Sequence, residues 1–155
     1  MFLKKFSFFV LPLLILITCK TFSQEKGYGL GVILGEPTGF SGKYWVDETH
    51  AFDFGLAYSF AHSNQAISIH ADYLFHRFNL IRSEVEFPLY YGFGGRIHFG
   101  NKGGNTIGAR GVIGILWMHS TLPVDLFIEA APVFNLFPET SLNLDLAIGA
   151  RYYFE

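Results

Sequence analysis

The chain is 155 residues long, 50% hydrophobic and 18% aromatic, with a formal net charge of −2 at pH 7. With 11 Lys and Arg against 13 Asp and Glu and no basic run, nothing in it suits a nucleic-acid partner. The one cysteine rules out a disulfide framework, and the length allows a single domain behind a short leader.

The start of the chain reads as a secretory signal. Lys4 and Lys5 make a basic beginning, and Phe6 to Ile17 an apolar stretch interrupted only by Ser7 and Pro12, too short for a comfortable transmembrane helix. Thr21-Phe22-Ser23 puts small residues at both positions that matter before a cut at Gln24. The expected division is a signal peptide over 1–23 and a mature domain over 24–155. A rival cut stays open at Cys19, because Leu16-Ile17-Thr18-Cys19 loosely matches a lipoprotein signal, with Thr where Gly, Ala or Ser is usual. The leader holds 3 of the 11 basic residues, so the mature domain has 8 against 13 acidic ones, a net of −5. It also holds all 17 glycines and no cysteine.

Beyond the leader, apolar residues recur at every second position, the signature of strands with two unlike faces. Tyr28, Leu30, Val32 and Leu34 oppose Gly29, Gly31 and Ile33; after Gly35-Glu36-Pro37-Thr38, Phe40, Gly42 and Tyr44 oppose Ser41, Lys43 and Trp45. Asp47-Glu48-Thr49 turns the chain into Phe52, Phe54, Leu56, Tyr58 and Phe60 against Asp53, Gly55, Ala57 and Ser59. His62-Ser63-Asn64-Gln65 precedes Ile67, Ile69, Ala71, Tyr73 and Phe75 against Ser68, His70, Asp72 and Leu74. The longest connection, Asn79 to Pro88, leads to Leu89, Tyr91, Phe93, Gly95, Ile97 and Phe99 against Tyr90, Gly92, Gly94, Arg96 and His98. Past Gly100 to Asn105, Ile107, Ala109, Gly111, Ile113, Ile115 and Trp117 oppose Gly108, Arg110, Val112 and Gly114. Val124, Leu126, Ile128, Ala130, Phe134 and Leu136 then oppose Asp125, Phe127, Glu129, Ala131 and Asn135. Within that strand Pro132 has no N–H for a ladder, so a bulge or an end of pairing is expected there. After Pro138-Glu139-Thr140, Leu142, Leu144, Leu146, Ile148, Ala150, Tyr152 and Phe154 oppose Asn143, Asp145, Ala147, Gly149, Arg151 and Tyr153.

Eight strands of about 11 residues and seven connections of about five need roughly 123 residues, which the mature chain supplies with little to spare. The first face of every strand lacks Asp, Glu, Lys and Arg, whereas the second carries Lys43, Asp53, Asp72, Arg96, Arg110, Glu129, Asp145 and Arg151. Eight strands enclose a lumen too narrow for the bulky first set, so that set points outward. Only lipid suits it there, since Arg or Lys near the bilayer centre would cost about 2–4 kcal/mol. In hydrocarbon no sheet edge stays unpaired. The expected fold is therefore all-β: a closed eight-stranded antiparallel up-and-down transmembrane β-barrel. Its eight interior charges, equal in number by sign, are expected to form a structural ion-pair network. A narrow small-solute pore is the alternative. His70 and His98 are assigned to structural hydrogen bonds in preference to metal. Gly27, Gly29, Gly31, Gly92 and Gly94 thin the inner wall, read as packing beneath residues such as Trp45 or Tyr153 in preference to a water- or ligand-filled cavity.

Gly149-Ala150-Arg151-Tyr152-Tyr153-Phe154 resembles the C-terminal assembly signal of outer-membrane barrels, with Gly149, Tyr152 and Phe154 at its key positions and Glu155 as a departure. The chain as a whole resembles the small OmpX/OmpA-type eight-stranded barrels. It is more closely similar to a family of uncharacterised outer-membrane barrels described from spirochaetes and Bacteroidetes. Gly35 to Trp45, His70 to His76, Leu89 to Gly92 and Ile148 to Phe154 carry that similarity. It implies the fold, a place in the outer membrane of a Gram-negative-type cell and insertion by the barrel-assembly machinery, but no activity. The expected partner is outer-membrane lipid, with no cofactor, no metal and a monomeric state.

Two other classes are weighed against that structural or accessory role. A lipid A-modifying enzyme would set His and Ser together; the close pairs in sequence, His62-Ser63 and His119-Ser120, lie at turns, and neighbours on a strand point to opposite faces. An adhesin would use long outer loops, but Gly35–Gly39, Ala61–Gln65, Gly100–Asn105 and Pro138–Thr140 are short. The connection with Arg82, Glu84 and Glu86 lies on the opposite, periplasmic side and is read as a solvated turn. The chain is expected not to be an enzyme.

Overall fold

The computed structural model describes residues 27–36, 38–59, 66–81, 85–100 and 104–154. The expected signal peptide with Cys19, the His62-Ser63 pair, and Arg82 and Glu84 lie outside them. Eight strands follow in chain order: β1 (Gly27–Glu36), β2 (Thr38–Trp45), β3 (His50–Ser59), β4 (Ala66–Arg77), β5 (Leu89–Gly100), β6 (Gly104–Met118), β7 (Val124–Phe137) and β8 (Ser141–Phe154). Each pairs antiparallel with the next, and β1 pairs with β8, so the sheet closes on itself. The fold is a closed eight-stranded antiparallel up-and-down barrel, as the period-two pattern requires.

The alternation in sequence becomes an alternation of burial. Along β4, Ser68, His70, Asp72, Leu74 and His76 are buried while Ile67 and Ile69 are exposed. Strands are longer than the apolar runs that announce them. β6 starts at Gly104, three residues before Ile107, and pairing with β5 extends to Gly100↔Gly104. Hydrogen bonding continues wherever backbone partners exist, so the polar ends of the strands gave no apolar signal.

Pro132 neither ends its strand nor bulges it. It stays on the exposed face and in register with Leu144 of β8. On the β6 side the ladder is interrupted without a change of register, passing from Arg110↔Val133 to Ile113↔Ala130. The missing N–H therefore faces β6 beside Gly111, where even a Cβ would make only ordinary contact with the proline ring, 3.6 Å from Cγ. The register shift falls further on, where Ile107↔Phe137 is followed by Gly108↔Asn135. One extra residue on β7 leaves Leu136 and Phe137 both exposed, the mark of a bulge.

Inside, the barrel is filled. At the end bearing both chain termini, Trp45, Leu74, Tyr90, Leu116, Phe127 and Tyr153 form the buried apolar cluster. Three glycines of the wall lie opposite these large groups. A Cβ on Gly29 would meet the Tyr153 ring at 2.6 Å; Gly114 and Gly149 face the Tyr90 and Phe127 rings in the same way. Of the glycines singled out in the sequence, Gly29 faces the Tyr153 ring and Gly92 and Gly94 lie against Leu74 and Asp72, whereas Gly27 and Gly31 lie against the backbone of β8.

Candidate functional site

Hydrogen-bonded rows of the sheet bring the interior charges together. Lys43 pairs across strands with Asp53, Asp53 with Asp72, Asp72 with Gly94, and Gly94 with Arg110. Because these residues share one face, their side chains converge in the lumen although they are far apart in sequence.

Two arginines each join two carboxylates. Arg110 binds Asp72 and, at 2.7 Å, Glu129. Arg151 binds Asp53 and, through Nε at 3.1 Å, Asp125. Its guanidinium also lies 4.0 Å from the Phe127 ring centroid and donates to Ser41 Oγ at 3.4 Å. Nearer the other end, Arg96 Nη1 reaches both oxygens of Asp145, at 2.9 and 2.8 Å. The Tyr90 hydroxyl donates to Glu129 at 2.9 Å and that of Tyr153 to Asp125 at 2.5 Å. Seven of the eight charges singled out in the sequence therefore meet an opposite charge.

Lys43 does not. Its Nζ donates to His76 Nε2 at 2.7 Å, and it lies 4.4 Å from the Trp45 ring centroid. His76 Nδ1 lies 3.1 Å from the Thr49 carbonyl. A neutral imidazole protonated on Nδ1 satisfies both contacts, donating to Thr49 and accepting from Lys43. His76 and Tyr90 were missed as partners because neither is formally charged. Asp125 was missed as a charge although its place on the inner face was evident. With it the described residues of the interior hold five acids to four bases, not equal numbers.

The histidines divide. His98 Nδ1 and Ser68 Oγ share a hydrogen bond at 2.7 Å, a pair created by the register Ser68↔His98 and invisible to a search for sequence neighbours. Ser68 is 1% exposed and faces the lumen. His119 sits in the β6–β7 turn, where its Nδ1 accepts from the amides of Thr121 and Leu122 at 3.2 and 3.1 Å. His70 makes no hydrogen bond and lies 4.0 Å from Asp53.

The outside is the reverse of the inside. Leu30, Phe40, Phe93, Ile113, Ile128, Leu142 and Leu144 are each at least 60% exposed. Among the described strand side chains, Arg77 at the very end of β4 is an exposed charge. Around the end that bears the termini runs a chain of ring contacts: Tyr28–Tyr44 at 4.8 Å, Phe52–Tyr73 at 5.1 Å, Phe75–Tyr91 at 5.5 Å and Tyr152–Phe154 at 4.9 Å. Such a surface is unsuited to water and matches the apolar band and aromatic girdle of a membrane barrel.

Solved structures share this architecture. The N-terminal β-barrel domain of Pseudomonas aeruginosa OprF superposes with a TM-score of 0.61 over 84% of this chain and 98% of its own, at 8% identity. The outer membrane enzyme PagL gives 0.55, covering 81% and 99%, at 11% identity. The fold is that of outer-membrane barrels. Neisserial surface protein A aligns with a TM-score of 0.49 at 17% identity, over 83% of this chain and 94% of its own. No protein-family model matches the sequence, and comparison with curated proteins finds no relative.

Below the barrel, one turn is organised by a single carboxylate. Asp47 accepts from the Thr49 amide at 2.7 Å, the His50 amide at 2.8 Å and His50 Nδ1 at 2.8 Å. These donors, the Thr49 amide foremost and then the His50 ring, hold its carboxyl down at about 2.

Proposed function

We propose that this chain is an integral outer-membrane barrel with a structural or accessory role, and no enzymatic one, whose interior is closed by paired charges. The observation that carries the reading is the sorting of charge. Exposed aliphatic and aromatic side chains cover the strands, while Lys43, Asp53, Asp72, Arg96, Arg110, Asp125, Glu129, Asp145 and Arg151 are buried in the lumen. Such burial is tolerated where each charge has a partner; the arginine bridges supply partners for all but Lys43, whose ammonium donates to His76.

On this reading Tyr28 and Phe154 lie at the periplasmic rim, Gly149, Tyr152 and Phe154 serve as the assembly signal, and lipid is the chief partner of a monomeric barrel. The OmpX/OmpA-type resemblance and the structural neighbours support the location. The charge-filled lumen argues against conduction, and the buried Ser68 against an enzyme that would attack lipid from outside. The test is expression in a Gram-negative host. The protein should sediment with the outer-membrane fraction, migrate faster on unheated than on heated SDS gels, and leave the lipid A mass spectrum unchanged on deletion. Recovery in the soluble fraction, or a deletion that shifts lipid A mass, would refute the proposal.

A further inference from the structure

We infer that Asp53, His70 and Asp72 form a divalent-cation site inside the barrel, of a kind that accepts zinc. Asp53 and Asp72 are directly opposed across β3 and β4, and both are 2% exposed. Two like charges in that position repel unless something stands between them. His70 lies two residues before Asp72 on the same face of β4 and diagonally from Asp53. One donor atom from each of the three lies within 4.8 Å of the others.

What points to a ligand is the state of His70. Its side chain is 2% exposed, both ring nitrogens lack a hydrogen-bond partner, and Nε2 stands 4.0 Å from Asp53 Oδ2. Asp72 Oδ1 is likewise buried without a partner. An imidazole left unpaired at such a depth is unfavourable, and a cation bound by its lone pair would resolve this. One imidazole and two carboxylates make a donor set that zinc accepts, at about 2.0–2.2 Å from each atom. The three donor atoms, now within 4.8 Å of one another, would draw closer to share one ion.

The surroundings are those of an outer shell. Arg151 holds the second oxygen of Asp53, and Arg110 binds Asp72, so both carboxylates are already oriented. Arg96, cross-strand from His70, is engaged by Asp145 and does not fill the place of the cation. The interior's one surplus acid among the described residues leaves room for added positive charge.

The experiment uses the mature barrel unfolded in urea, stripped with a chelator and refolded into detergent micelles with zinc present, so that a sealed interior cannot exclude the metal. A His50→Ala background removes the other Asp–His pair, in the Asp47 turn. After desalting, metal analysis should find about one zinc per barrel, and His70→Gln should lower it at least about tenfold. His98→Gln should leave it unchanged. Heat-modifiable migration reports whether each variant has folded. Should His70→Gln fail that check, X-ray absorption of the zinc-loaded His50→Ala barrel decides the matter, with one imidazole and carboxylate oxygens expected. A barrel that retains no zinc, a His70→Gln variant that retains it fully, or an all-oxygen shell would overturn the assignment and leave the triad to water.

Discussion

Arg151 is the residue on which the interior depends most, because it joins Asp53 to Asp125 and covers the Phe127 ring. Arg151→Met would keep most of the volume and leave two carboxylates buried without their cation. Removing one partner of a buried pair is costly, so we expect a loss of about 3–5 kcal/mol in urea unfolding from vesicles. Asp47 should behave differently. Its carboxyl is held near 2 against an ordinary value of 3.8, so the turn gains stability that is complete above that ordinary value. The gain is lost as pH falls toward 2. An NMR titration should place the Asp47 midpoint near 2, and Asp47→Asn should remove the protection of the Thr49 and His50 amides that is lost as the carboxyl protonates. A midpoint at the ordinary value would contradict the turn geometry. At this scale the inward placement of Lys43 and the arginines was legible, whereas the charge of Asp125 and the neutral partners were missed. Tyr90 and Ser68 were visible as inward residues and His76 was not placed, and only register shows that they meet Glu129, His98 and Lys43.

At the scale of the strand, alternation was the readable signal, and it located all eight elements. What it could not locate were ends and irregularities. Pro132 was expected to disturb β7; instead the strand passes it in register because the lost donor faces β6 beside Gly111. The bulge sits near Leu136, where nothing in composition marks it, since an apolar residue suits either side of a barrel's rim. The outer face makes a sharp prediction for the same strand. Ile128 is 63% exposed, and Ile128→Arg should destabilise the refolded barrel by about 2–4 kcal/mol in urea titrations. The same change at exposed Thr121, in the turn that follows β6, should be nearly neutral. Equal effects at the two positions would mean that no hydrophobic band surrounds β7.

For the whole molecule, closure follows from the pairing of β1 with β8, and Gly29, Gly114 and Gly149 make room for the Tyr153, Tyr90 and Phe127 rings inside. Such a barrel should not conduct: in planar bilayers the purified protein should give no stepwise current, and regular open-channel steps would contradict a charge-plugged interior. In a membrane barrel of this kind, one face of every strand meets acyl chains while the other is sealed from them. The two tryptophans report on it directly, for Trp45 is 3% exposed in the lumen and Trp117 lies on the outer face. In vesicles of phospholipids brominated along their acyl chains, fluorescence of Trp45→Phe, which retains Trp117, should be strongly quenched. That of Trp117→Phe, which retains Trp45, should be almost unchanged. The opposite pattern, or no quenching in either variant, would contradict the account.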